Sequence, residues 1–187
     1  KDTQPMPGDA KHSLKISKIL IDDNGEFCEV KPAEMKIEFI GDSITSGEGL
    51  AGAPEQMEWI PSVFVGSESY AAQVSRYFGA DFSVFSQCGW GLCWGWDGNR
   101  NNNIPSFYEK VCGVMEGDFH NQLGENQDYD FKDGSDFVVL NLGTNDNGAF
   151  FQPPWKDEKT GVEYKLELEN GKISASDKEY IVQAAKS

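Results

Sequence analysis

A chain of 187 residues with 39% apolar and 12% aromatic side chains can build one domain with a sizeable core, or one domain and a fragment of another. Its formal charge of −15 argues against nucleic acid, whose phosphates need a basic face, and against anionic membranes and anionic substrates; a neutral substrate fits best. No apolar run approaches the roughly 18 residues of a membrane span, and no leader peptide is read in the polar stretch from Lys1 to Lys15.

In chain order, residues 13–30 read as two strands. Leu14, Ile16, Ile19 and Ile21 sit in a polar background, Asp22-Asp23-Asn24-Gly25 is a turn, and Glu26 to Val30 returns. Two strands alone are marginal in water, so residues 1–33 are expected to be the tail of a β-domain plus a linker at Pro32. The second domain, 34–187, opens with a strand from Met35 to Ile40 that runs into Gly41-Asp42-Ser43. Residues 49–68 lack a period and read as a long loop. Ser69 caps a helix from Tyr70 to Phe78, and Gly79 stops it. A second strand covers Phe82 to Phe85, followed by a loop dense in Gly, Trp and Asn from Gly89 to Asn103.

Pro105 suits the first turn of a helix reaching about Met115, and 116–135 read as loop. Phe137 to Leu142 is a third strand, apolar enough to be buried on both faces, ending at Gly143-Thr144-Asn145-Asp146. Tyr164, Leu166 and Leu168 alternate with charges before an Asn170-Gly171 turn and a return at Ile173, an inserted hairpin. Ser176 and Glu179 read as the capping box of a last helix with Tyr180, Ile181, Ala184 and Ala185 on its apolar stripe. The alternation of strand and helix predicts an α/β fold with a parallel sheet. Three parallel strands are few for such a sheet, so the polypeptide is expected to continue past Ser187.

In open α/β sheets, ligands bind at the carboxyl ends of the strands. Three glycine-containing turns fall there: Gly41 to Thr45, Cys88 to Leu92 and Gly143 to Asp146. A serine at position 43 can attack a carbonyl while backbone N–H groups receive the oxyanion. Gly91 offers a second N–H, with Gly89 as the fallback, and the Asn145 amide is a third donor; one such donor is worth about 3–4 kcal/mol of barrier. Asp42 and Asp146 are expected to hold the turns together, and Asp146 is also a candidate substrate contact.

Each turn has a plainer reading. Ser43 fits a helix cap, and the glycine-rich segments fit tight turns. Their conjunction after three successive strands favours chemistry. Trp59, Trp90, Trp94, Trp96 and Trp155 sit mostly in loops; Trp90 and Trp94, which flank Gly91, are expected to stack on sugar rings, against the alternative of burial under the loops. Asn99 and Asn101 to Asn103 either contact hydroxyls or make turns. Cys28, Cys88, Cys93 and Cys112 lack a close second ligand pair, and His12 and His120 stand far apart, so no metal and no cofactor is expected; the cysteines read as free thiols or one bridge.

The segment Ile37 to Thr45, with its Gly-Asp-Ser-Ile-Thr, resembles the first block of the SGNH (GDSL-type) hydrolases, and Asn141-Leu142-Gly143-Thr144-Asn145-Asp146 resembles their third. Ser86 to Leu92 resembles the second block less cleanly. With a β-stretch leading into this domain, the chain is most similar to carbohydrate esterase family two, which carries an N-terminal jelly roll. The resemblance implies a three-layer α/β/α sandwich preceded by the tail of a β-sandwich. It implies removal of O-acetyl groups from xylan, mannan or their oligosaccharides through an acetyl-enzyme on Ser43. It makes the Ser43 N–H, the Gly91 N–H and the Asn145 amide the oxyanion hole. A secreted or cell-surface location is expected over a cytoplasmic one.

The family's catalytic histidine lies in a late Asp-x-x-His block, yet no histidine follows Asn145. His120, two residues after Asp118, and His12 are poor substitutes. The base is expected from a continuation of the chain or from a second polypeptide that carries the rest of the domain. Two rivals remain. A lipid or thioester acylhydrolase on the same framework would need a strongly apolar cleft. A carbohydrate-binding relative without turnover would account for the missing histidine.

Overall fold

The computed structural model describes residues 16–55, 60–115 and 117–186, and the middle of its sheet is β1 (Lys36–Gly41). Ile37 and Phe39 alternate onto one face, as a strand requires, and both are buried. After the short helix α1 (Ser43–Ser46) and a long loop comes α2 (Tyr70–Phe78), which packs Ala71, Tyr70 and Val74 on that face. Ser69 accepts a hydrogen bond from the Ala72 N–H, and Gly79 takes the left-handed conformation that ends the helix, both as the sequence predicts. Strand β2 (Asp81–Ser86) then pairs parallel with β1.

Next come α3 (Pro105–Tyr108) and α4 (Asp118–Leu123), and β3 (Phe137–Asn141) pairs parallel with the other side of β1. The strand order is β2-β1-β3. Gly41 lies opposite Ser86 on one side and Asn141 on the other, so the three strands end level. Short helix α5 (Thr144–Gly148) follows β3 directly. Strands β4 (Trp155–Lys156) and β5 (Glu163–Tyr164) form one antiparallel hairpin, and β6 (Leu168–Glu169) and β7 (Lys172–Ile173) form a second. Asn170 and Gly171 both have positive φ, which suits the tight turn between β6 and β7. The last element is α6 (Ala175–Ala184).

Several expectations are corrected. Residues 16–30 form the Asp22 to Gly25 turn, with the Gly25 N–H donating to the Asp22 carbonyl at 2.8 Å, but no ladder. Ile16, Leu20, Phe27 and Val30 are exposed there, so nothing apolar rewards strand pairing. Leu14 lies outside the described residues. The helix from Pro105 ends at Tyr108 because the following backbone bonds elsewhere: the Val111 and Cys112 N–H groups donate to Gln127 and Glu125. Residues 116–135 contain α4, closed by a left-handed Gly124. Strand β3 is not buried on both faces; Phe137, Val138 and Leu140 are exposed among the described residues. The last helix is capped by Ser174, whose hydroxyl accepts from the Asp177 N–H, two residues before the predicted box.

Candidate active site

Level strand ends bring the three turns to one edge of the sheet, and hydrogen bonds join them. Asn145, on α5, donates from Nδ2 to the Trp90 carbonyl at 3.0 Å and to Asp42 Oδ2 at 3.3 Å. One carboxamide thus touches the first and second turns from the third. Ser46 Oγ, one turn along α1, contacts Ser86 Oγ at the end of β2 at 2.7 Å.

Asp42, not Ser43, caps α1: its Oδ1 accepts from the Ile44 N–H at 3.0 Å. The capping reading of Ser43 is thereby removed. Ser43 is half-buried, and neither its hydroxyl nor its N–H has a hydrogen-bond partner among the described residues. Both remain available to a substrate. Burial, the largest influence, raises the Asp42 carboxyl above its ordinary value, against the Ile44 N–H, which lowers it.

The second turn differs from expectation. The Gly91 N–H donates to the Trp94 carbonyl at 3.0 Å and is buried, so it is not available to an oxyanion. Gly91 serves a different need: a Cβ there would collide with the Asp146 carboxylate and stand 2.6 Å from the Trp94 carbonyl oxygen. The fallback, Gly89, is half-buried, and its N–H bonds to no described residue. Gly89 has φ +73°, a conformation that favours glycine, and a Cβ there would meet Trp96 Cδ1 at 2.8 Å.

Asp146 is a scaffold. Its Oδ2 accepts from the Leu92 N–H and its Oδ1 from the Cys93 N–H, each at 2.8 Å, and its carbonyl accepts from Trp94 Nε1 at 3.0 Å. Both carboxylate oxygens are thus engaged, which supports the turn-holding reading over a substrate contact. Cys93 beside it is no rival nucleophile, since burial, helped by the Asp146 charge, pushes its thiol up to about 11. None of the four cysteines is in a disulfide.

Trp90 and Trp94 are core residues rather than cleft walls, at 7% and 0% exposure. Trp90 packs with Ile104 and Phe107, and Trp94 with Cys93, Ala149 and Leu166. Among the described tryptophans the exposed ring is Trp96, at 53%, and it lies against Gly89. Its position depends on the Trp96 N–H donating to the Gly89 carbonyl at 2.8 Å, a long-range turn contact that carries no sequence signal. Trp59 lies outside the described residues. Asn99 and Asn103 make turns, their side-chain oxygens accepting from the Asn101 and Ser106 N–H groups. His120 is 1% exposed, with Nδ1 2.6 Å from Glu125 Oε2, which leaves it no access to a substrate; His12 lies outside the described residues.

The buried Asp42 carboxyl makes a testable prediction. Because its folded value is raised, the folded chain binds this proton more tightly than the unfolded chain does. Its contribution to stability therefore falls as pH rises from the ordinary carboxylate range through the raised value. Asp42→Asn keeps an oxygen for the Ile44 N–H and removes that titration. The variant should gain on the wild type as pH rises through this window in thermal unfolding. Parallel pH curves for the two proteins would contradict the assignment.

No protein-family model matches this sequence. Comparison with solved structures aligns the chain with the acetyl xylan esterase Est2A of Butyrivibrio proteoclasticus at 42% identity and a TM-score of 0.80, covering 86% of this chain and 44% of that one. A family two carbohydrate esterase of Clostridium thermocellum, solved with cellohexaose, aligns at 31% identity and a TM-score of 0.56, over 68% of this chain and 36% of the other. Among curated proteins, the cellulase/esterase CelE of Acetivibrio thermocellus is 33% identical over 123 residues, 65% of this chain and 14% of that protein. The chain spans less than half the length of each of these relatives. Its likeness to the family two carbohydrate esterases, expected from the motif residues, is borne out. The preceding β-sandwich is not seen among the described residues.

Proposed function

We propose that this chain carries the nucleophile and oxyanion hole of a serine esterase that removes O-acetyl groups from a neutral carbohydrate. The observation that supports it most is the Asn145 carboxamide, which bonds to both the Asp42 and Trp90 turns and so gathers three strand ends around Ser43. The likeness to an acetyl xylan esterase and to an esterase solved with cellohexaose favours a glycan ester. The charge of −15 favours a neutral one.

In this reading Ser43 Oγ attacks the acetyl carbonyl while its proton passes to an imidazole. The carbonyl oxygen becomes an oxyanion held by the Ser43 N–H, the Gly89 N–H and Asn145 Nδ2. Gly89 replaces Gly91 because the Gly91 N–H is already donated to Trp94. Asn145 releases its longer bond, the 3.3 Å contact to Asp42, to serve the oxyanion. Collapse breaks the bond to the sugar oxygen, which leaves as a hydroxyl with the imidazole's proton. Water then repeats the sequence on the acetyl-enzyme and frees acetate. His120, buried against Glu125, does not supply this imidazole.

Trp96 is the aromatic platform of this reading. Its exposed ring lies beside Gly89, so a sugar stacked on it presents its ester to the oxyanion donors. The intact polypeptide should release acetate from acetylated xylooligosaccharides and turn over long-chain acyl esters poorly. Trp96→Ala should raise KM for the oligosaccharide about tenfold, with little change for p-nitrophenyl acetate, which has no sugar to stack. Equal effects on both substrates, or a preference for long acyl chains, would refute the glycan assignment.

A further inference from the structure

We propose that Arg100 is a positioning residue for the ester-hydrolysing site, acting through Trp96 and Gly89; this rests on the function proposed above. The Arg100 guanidinium carbon lies 4.4 Å from the ring centre of Tyr164 and 4.4 Å from that of Tyr180. Each tyrosine is stacked in turn on a tryptophan: Tyr180 on Trp94 at 5.6 Å and 19°, Tyr164 on Trp155 at 5.7 Å and 22°. The result is a column of four rings with a cation at its centre. A planar guanidinium can lie flat between two rings, while an ammonium cannot. Asp177 Oδ1, on a side chain only 8% exposed, stands 3.9 Å from Nη2 and adds a charge partner.

The column joins two parts of the chain that are far apart in sequence. Tyr164 belongs to β5 and Tyr180 to α6, while Arg100 sits in the loop that follows the second strand-end turn. From Arg100 a short path of hydrogen bonds leads to the site. The Arg100 carbonyl accepts from Asn103 Nδ2 at 2.9 Å, and the neighbouring Asn99 carbonyl accepts from the Gly95 N–H at 2.9 Å. The next residue, Trp96, donates its N–H to the Gly89 carbonyl at 2.8 Å and rests its ring on Gly89. Trp96 thus fixes the Gly89–Trp90 peptide and packs its ring on the Gly89 Cα, the atom that also carries the unpaired N–H of the preceding peptide, so the donor residue is held by a loop that Arg100 pins. Arg100 touches no reacting atom in this arrangement.

The test uses the intact polypeptide, with p-nitrophenyl acetate as the probe. Arg100→Gln should lower kcat about tenfold per folded molecule while KM stays within about twofold, because a misaimed N–H fails in the transition state rather than in ground-state binding. Arg100→Lys, which keeps the charge but not the plane, should recover only part of the loss. Hydrogen exchange across residues 86–103 should quicken in both variants. Faster exchange with kcat unchanged in the folded fraction would make Arg100 a purely structural residue and overturn the proposal, as would unchanged exchange. An inactive wild type would instead count against the function proposed above, and the exchange result would still decide whether the column pins the loop.

Discussion

Replacing Ser43 by alanine in the intact polypeptide is expected to abolish acetate release, with turnover lower by at least about a thousand-fold, and to leave the fold intact. A nucleophile that acts with a base and an oxyanion hole has no substitute within reach, so its removal collapses the rate to what the remaining donors supply. The stability side is equally definite. Ser43 caps nothing, since Asp42 accepts from the Ile44 N–H, and its hydroxyl bonds to no described residue. The change in unfolding free energy should stay within about 0.5 kcal/mol. A structural serine would show the reverse pattern, with stability lost and turnover kept. Paired kinetics and thermal unfolding separate the two.

The second large effect is expected at Asp146, where the loss begins in stability. Asp146→Ala removes the acceptor of two part-buried N–H groups, those of Leu92 and Cys93. Each unsatisfied donor costs about 1–3 kcal/mol, so a total of about 2–6 kcal/mol is expected in chemical denaturation. The same change loosens the second turn from the third, leaving the Asn145 bond to the Trp90 carbonyl and the Trp94 Nε1 bond to the Asp146 carbonyl. Turnover should fall with it, even at temperatures where the variant is folded. Asp146→Asn retains one acceptor oxygen and should lie between the two. An alanine variant as stable as the wild type would show that water replaces the carboxylate and that the turns are held by other contacts.

Much of this was legible in the sequence, for identifiable reasons. The three parallel strands and α2 follow from local signals: alternation into Gly41, an apolar run into Gly143, and a serine and a glycine bracketing Tyr70 to Phe78. The three turns that meet at the site follow from strand ends alone. The errors arose where long-range contacts decide. Trp90 and Trp94 flank Gly91, yet their rings turn inward because Ile104, Phe107, Ala149 and Leu166 bury them, and among the described tryptophans Trp96 is the exposed one. The Gly91 N–H, expected to be open to a substrate, is not, because the Trp94 carbonyl, three residues on, takes it. The helix after Pro105 stopped at Tyr108 because residues 125–127 offered its backbone other partners. Arg100 gave no signal, since its two ring partners lie 64 and 80 residues further along the chain.

Treating the intact polypeptide with a serine-reactive fluorophosphonate and mapping the adduct by peptide mass tests the placement of the reacting hydroxyl most directly. One adduct is predicted, on Ser43, forming in step with the loss of acetate release and absent from the Ser43→Ala variant. An enzyme inactivated through a different serine, or one that keeps its activity with Ser43 modified, would contradict it.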